Sequence, residues 1–255
     1  MTHQFVSRIV APLLVLLAGL AVWEWRTGAS DTPSWFLPSP LLIARTLADD
    51  WNLLTDHAWV TLREVLIGFA IALVVGVLIA VLIHVSPIFE RAVYPIVIAS
   101  QAVPLVALAP LLLVWFGYGI GPKVIVTALV AFFPITVGAV DGLRAADRET
   151  LNLLRTYGAS RVRRFWMVNV PSALPSLFSG ARIGVSVAVI GAVFGEYVGA
   201  NSGLGYLMNV SSAKLQTERV FSSIVILAAM AILLFGLVAL IERRVLRWRR
   251  YVTEG

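Results

Sequence analysis

Residues 65–89 read VLIGFAIALVVGVLIAVLIHVSPIF, 25 positions without a formal charge. An α-helix rises about 1.5 Å per residue and the hydrocarbon layer of a bilayer is about 30 Å thick, so this run covers the layer with residues to spare. Its apolar positions do not alternate with period two, which excludes a barrel strand, and in lipid only a helix satisfies its own backbone. The stretch is not alone: 59% of the 255 residues are hydrophobic and 13% are charged, against about 25% charged in an ordinary soluble domain. The apolar excess runs from end to end. The expectation is an all-α, multi-pass membrane helical bundle.

Working outward from 65–89 gives six expected transmembrane helices. One covers 6–23, and two share the apolar territory 92–140 on either side of the turn-rich Phe116-Gly-Tyr-Gly-Ile-Gly-Pro-Lys123. The last two cover 176–199, with Arg182 near its start, and the uncharged 220–241. The first segment also fits a cleaved signal peptide, since Arg8 precedes a short apolar core. Its exit, Trp23-Glu-Trp-Arg-Thr27, lacks a small-x-small cleavage site and has interfacial aromatics, which favours a retained helix.

Net charge is +6, and its placement explains it better than a nucleic-acid partner does. With the N-terminus inside, 13 arginines fall on inner segments, among them Arg8, Arg91, Arg144 and the tail from Arg243 to Arg250, against five Lys or Arg outside. The positive-inside rule then places both termini in the cytoplasm. No cysteine is present, and His3, His57 and His84 are scattered, so no metal site or cofactor is expected.

The largest inner loop, 141–171, is amphipathic. It reads as a helix over 147–157, a break at Gly158 as left-handed C-cap, and a second helix over 160–169, N-capped by Ser160 and stopping at Pro171. Gly158-Ala-Ser-Arg161 with Phe165, then Val168-x-Val170-Pro171 and Ala173-Leu-Pro175, resembles the cytoplasmic Glu-Ala-Ala loop of binding-protein-dependent ABC importer permeases. Asn152-Leu153-Leu154 stands where that family has its Glu-Ala-Ala triplet, and Glu149 lies three residues too early to replace it. Leu37-Pro-Ser-Pro40, Leu62 to Phe69, Ala107 to Gly117, Phe132-Phe-Pro134, Asp141 to Arg144, Gly203-Leu-Gly205 and Glu242 to Arg249 extend the resemblance along nearly the whole chain, to the nitrate, taurine and aliphatic-sulfonate branch. Within it, Ser100 to Gly119 is most similar to permeases for riboflavin and for thiamine pyrimidine precursors.

The resemblance implies a type I importer transmembrane fold. An N-terminal helix and outer loop would occupy 1–58, and the permease domain 59–250, with the coupling loop at 141–171. It also implies a prokaryotic inner-membrane location, a homodimer, two separate ATP-binding subunits and an extracytoplasmic substrate-binding protein. Arg155, Thr156, Tyr157, Gly158, Ala159, Ser160 and Pro171 would then couple to the ATPase. The chain itself has no phosphate-binding Gly-x-x-x-x-Gly-Lys-[Ser/Thr] loop.

Two features bear on the pathway. Gly184, Gly191, Gly195 and Gly199 share a helix face with Ala188 and Ala192, which suits close helix packing and also a substrate-facing wall. Pro95, Pro104 and Pro110 around Gln101 suggest a broken or bent helix. With Glu196, an ionisable residue at membrane depth, they give a pathway set of Tyr94, Gln101, Trp115, Glu196 and Tyr197. Trp35-Phe36-Leu37 in the first outer loop is read as a binding-protein contact or an interfacial segment. An intramembrane enzyme would need paired acids, and only Glu196 is visible at depth. A self-contained secondary transporter would show internal repeats, and none is found.

Overall fold

Small residues on three long helices decide how this chain packs. In a computed structural model, which describes residues 2–29 and 33–248, α3 (Trp51–Val85), α6 (Ile120–Arg144) and α9 (Val170–Gly199) form the centre. Lipid tails are as apolar as leucine, so helices there gain by contact and not by the hydrophobic effect, and small side chains let backbones meet. A Cβ added at Gly142 would lie 2.6 Å from the Ala173 carbonyl oxygen, one at Gly138 2.7 Å from that of Ser176, and one at Gly180 would collide with the Pro134 carbonyl. Across α3, Gly68 meets Thr127 and Gly76 meets Thr136. On the glycine face read from the sequence, Gly184, Gly191 and Gly195 pack in a seam against Ile135, Thr127 and Lys123 of α6, and Gly199 meets Leu113 instead.

Around this centre lie α1 (Thr2–Ala29), α2 (Pro40–Asp49), α10 (Leu204–Ala213) and α11 (Thr217–Val245). The Leu37-Pro-Ser-Pro40 motif is a helix start: Ser39 Oγ accepts from the Leu42 amide, and Pro40 occupies the first turn, where its missing N–H costs nothing. Asp50, between α2 and α3, pairs with Arg219 of α11 at 2.8 Å. Trp23 packs edge-on against Phe221, and Glu24 accepts from the Leu41 amide, so the Trp23-Glu-Trp exit is a docking point for α1.

Five of the six expected spans are single helices long and apolar enough to cross a membrane, within Val10–Ala29, Trp51–Val85, Ile120–Arg144, Arg161–Gly199 and Thr217–Val245. The expected third span is instead two half-length helices, α4 (Pro87–Ser100) and α5 (Leu105–Phe116). Pro104 supplies no N–H and disfavours a helical Val103, so the helix breaks at 101–104. The bent-helix reading holds, and Gln101 sits at the break.

The second loop helix does not stop at Pro171. After the single turn α8 (Arg161–Arg164), a π turn over Phe165–Asn169 carries the chain directly into α9, with the Val170 amide bonding to the Phe165 carbonyl. The wider turn accommodates a proline whose ring would otherwise strike the carbonyl four residues back. Arg182, near the start of the 176–199 span, pairs with Glu242 of α11 at 3.2 Å. Arg249 and Arg250 of the basic tail lie outside the described residues.

The seam makes a direct prediction. Gly142→Ala, facing backbone that cannot rotate away, should lower the thermal midpoint of the detergent-solubilised protein by a loss of about 1–3 kcal/mol. Gly236→Ala, where an added Cβ meets nothing within 4 Å, replaces a helix-interior glycine without a clash and should not lower the midpoint.

Candidate functional site

At the arginine-rich end, α7 (Arg148–Thr156) is fixed at both termini by its own sequence. Asp147 caps it, accepting from the Glu149 and Thr150 amides and from the Thr150 hydroxyl. These bonds to the ionised form hold the Asp147 carboxyl below the usual aspartate range, the Thr150 hydroxyl contributing most. At the other terminus, the Ala159 amide bonds to the Leu154 carbonyl and the Gly158 amide to that of Arg155. Gly158 there has φ +76°, a conformation that favours glycine. Ser160 then caps α8 through the Arg163 amide.

The product is a capped, basic, exposed element. Arg155, Thr156, Tyr157, Gly158 and Ser160 are exposed and Ala159 is half-buried, so the sequence-derived coupling residues gather in one turn. Pro171 is separate, half-buried at the base of α9. Leu153 and Tyr157 are apolar side chains held in the open, 57% and 80% exposed. Asn152, at the missing glutamate's position, is also exposed. Asn169 anchors the π turn: its side-chain amide donates to the Leu143 carbonyl and lies 3.2 Å from His84 Nε2.

The opposite end holds a buried polar cluster. Lys123 Nζ lies 2.6 Å from Glu64 Oε1, joining α6 to α3. Glu196 of α9 accepts from the Thr61 hydroxyl and the Gly205 amide, each at 2.7 Å. Thr61 Oγ1 in turn accepts from the Leu204 amide, and His57 Nδ1 accepts from that of Gly203. Gly203 has φ +109°, and a Cβ there would strike the Glu196 carboxylate. The Gly203-Leu-Gly205 motif is thus a cradle for Glu196. In the sequence, Glu64 belongs to the Leu62 to Phe69 motif and Lys123 closes the turn-rich break, and their pairing was missed because 59 positions separate them. The signal available was an acid and a base at apolar span ends of expected common depth.

A cavity of about 770 Å³ opens between α6 and α9, with Phe133, Val137, Gly138, Ser179 and Ile183 among its walls. None of the five sequence-derived pathway residues lines it. Tyr94 lies under the Arg144 guanidinium at the arginine-rich end. Gln101 is exposed in the break, and Trp115 is exposed near the far end of α5. Glu196 is buried and fully bonded, and Tyr197 is exposed, its carbonyl accepting from Asn209. The structure does not bring these five together. Among the described residues, no group of three or more His, Asp or Glu could hold a metal ion.

Comparison with known proteins adds to this geometry. The family described as "Binding-protein-dependent transport system inner membrane component" matches residues 72–247. The formylaminopyrimidine transport permease protein ThiX of Halalkalibacterium halodurans is 41% identical over 240 residues, covering 94% of this chain and 96% of its relative. The riboflavin transport system permease protein RibX of Chloroflexus aurantiacus is 37% identical, covering 92% and 88%. Among solved structures, an inward-facing MetNI methionine ABC transporter chain superimposes with a TM-score of 0.65 at 23% identity, over 76% of this chain and 96% of that one. That likeness shows a common fold.

The Asp147 cap gives a pH signature. Its carboxyl is more acidic folded than unfolded, so the cap's contribution is complete above the ordinary aspartate range and is lost as pH falls through the lower folded value. Hydrogen exchange protection at the Glu149 and Thr150 amides should fall in that acidic window. In Asp147→Ala it should be low at neutral pH as well.

Proposed function

The chain belongs to the family of binding-protein-dependent transport system inner membrane components, and on that premise we propose that it imports a small flat heterocycle, a formylaminopyrimidine or another thiamine pyrimidine precursor. The chain is the permease subunit of an ABC importer and not an enzyme; ATP hydrolysis belongs to a separate subunit. The observation that carries the substrate is the 41% identity to a formylaminopyrimidine permease along nearly the full length of both chains. Riboflavin is the second reading, supported at 37%.

Two copies of the chain would work with two ATP-binding subunits and an extracytoplasmic binding protein. The arginine-rich end faces the cytoplasm in this reading, supported by the asymmetry of Lys and Arg. The exposed turn from Arg155 to Ser160, with Leu153 and Tyr157, then meets the ATPase. Since α8 runs through the π turn into α9 without a hinge loop, displacement of the docked element moves the wall of the α6–α9 cavity. Asn152 in place of the family's glutamate moves the weight of docking onto Tyr157, Leu153 and the arginines.

The purified chain alone should hydrolyse no ATP, and activity should appear on adding the partner ATPase. Gly158→Asp should weaken that association by roughly tenfold or more; intact assembly and transport in the variant would overturn the coupling assignment. For the substrate, proteoliposomes holding the assembled importer should accumulate formylaminopyrimidine. Uptake of riboflavin or taurine in its place would reassign the solute.

A further inference from the structure

Behind the coupling element, against the end of α3, lies a cavity of about 520 Å³ whose walls include His84, Val85, Arg161, Arg164, Phe165 and Trp166. Its lining combines two chemistries. Arg161 and Arg164 bring two guanidinium groups, and no Asp or Glu lines the cavity. Arg164 Nε is shielded from solvent and has no hydrogen-bond partner in the fold. A shielded donor of that kind is costly unless an acceptor meets it. Of the remaining wall, His84 and Asn169 lie 3.2 Å apart and satisfy each other, and the rest is apolar: Val85 and Trp166 are 68% and 65% exposed, where α3 ends and the π turn enters α9. Tryptophan is the side chain best suited to that interfacial level.

We propose that this cavity binds an anionic phospholipid, its phosphate held by Arg161 and Arg164 and an acyl chain lying against Val85 and Trp166. The guanidinium fork matches phosphate oxygens, and basic pockets at the ends of membrane helices favour anionic headgroups. A protein occupant fits less well. Leu151, which also lines the cavity, and Leu153 lie about 200° apart around α7. The ATPase-docking reading uses the Leu153 and Tyr157 face, so a partner seated there leaves the cavity behind it. A lipid reaches the cavity from the membrane. Bound there it braces α8 against α3, beside the turn that Asn169 anchors, and makes the stiffness of the coupling link depend on membrane composition. The choice of lipid over ATPase rests on that docking reading, and the experiment separates the two.

The full-length permease, alone in nanodiscs of mixed phosphatidylcholine and phosphatidylglycerol, should retain phosphatidylglycerol at least several-fold over its share when released into native mass spectrometry. Its thermal midpoint should rise with phosphatidylglycerol content. Arg161→Gln combined with Arg164→Gln should abolish both effects, whereas Arg243→Gln with Arg244→Gln, at the exposed last turn of α11, should leave them in place. Wild-type protein showing no preference for phosphatidylglycerol would overturn the proposal whatever the variants do. So would inorganic phosphate reproducing the thermal shift without lipid, which marks a free-anion site. A double variant that keeps its lipid preference but loses the ATPase in pure phosphatidylcholine would assign the cavity to the protein partner and overturn the lipid.

Discussion

Contact between α6 and α9 at van der Waals limits is the constraint on which the remaining packing depends. In lipid, two apolar helices gain nothing from hiding leucines from water, so the pair holds by dispersion between backbones that only small residues allow to meet. Gly138 and Gly142 on one helix, and Ala173 and Gly180 on the other, permit that approach over several turns. The same economy places hydroxyls in the interior. Thr127 and Thr136 return their protons to carbonyls one turn back, filling space without an unpaired donor.

With that seam fixed, α9 becomes a single rod with different chemistry at its two ends. At one end it continues through the π turn into the exposed basic element. At the other, Glu196 binds the Gly205 amide and the Thr61 hydroxyl, tying the loop after α9 to α3. The Lys123 and Glu64 pair fastens α6 to α3 at the same end. The broken α4 and α5 segment, interrupted at Pro104 inside the membrane-spanning region, is the least continuous part of the bundle.

Much of this was legible before any coordinates. The caps at Gly158 and Ser160 are local, each decided by residues within five positions, and the structure has a helix stop at one and a start at the other; Asp147, read as the first residue of its helix, is instead its N-cap. The proline pattern around Gln101 announced a break for the same reason. The errors arose where a local rule met a non-local one. Pro171 ends an isolated helix, but here a π turn absorbs it because Asn169 is anchored to Leu143 and lies against His84. Aromatic and polar residues chosen for a pathway were scattered, since a list of suitable side chains carries no information about which helices are neighbours.

The sequence by itself determined that this chain spans a membrane, that it is helical, where its loop helices are capped at Gly158 and Ser160, and which family it belongs to. Those properties follow from run length, backbone hydrogen bonding in lipid and short-range capping, all of which are written in consecutive residues. Only the tertiary structure decided that most of the glycine stripe meets α6, that Glu64 finds Lys123, that Gly203 and Gly205 enclose Glu196, and that Arg182 turns to Glu242. Each of these joins residues on different elements, and in some cases more than fifty positions apart. Their partners are set by the order and rotation of packed helices, which no single stretch of sequence contains.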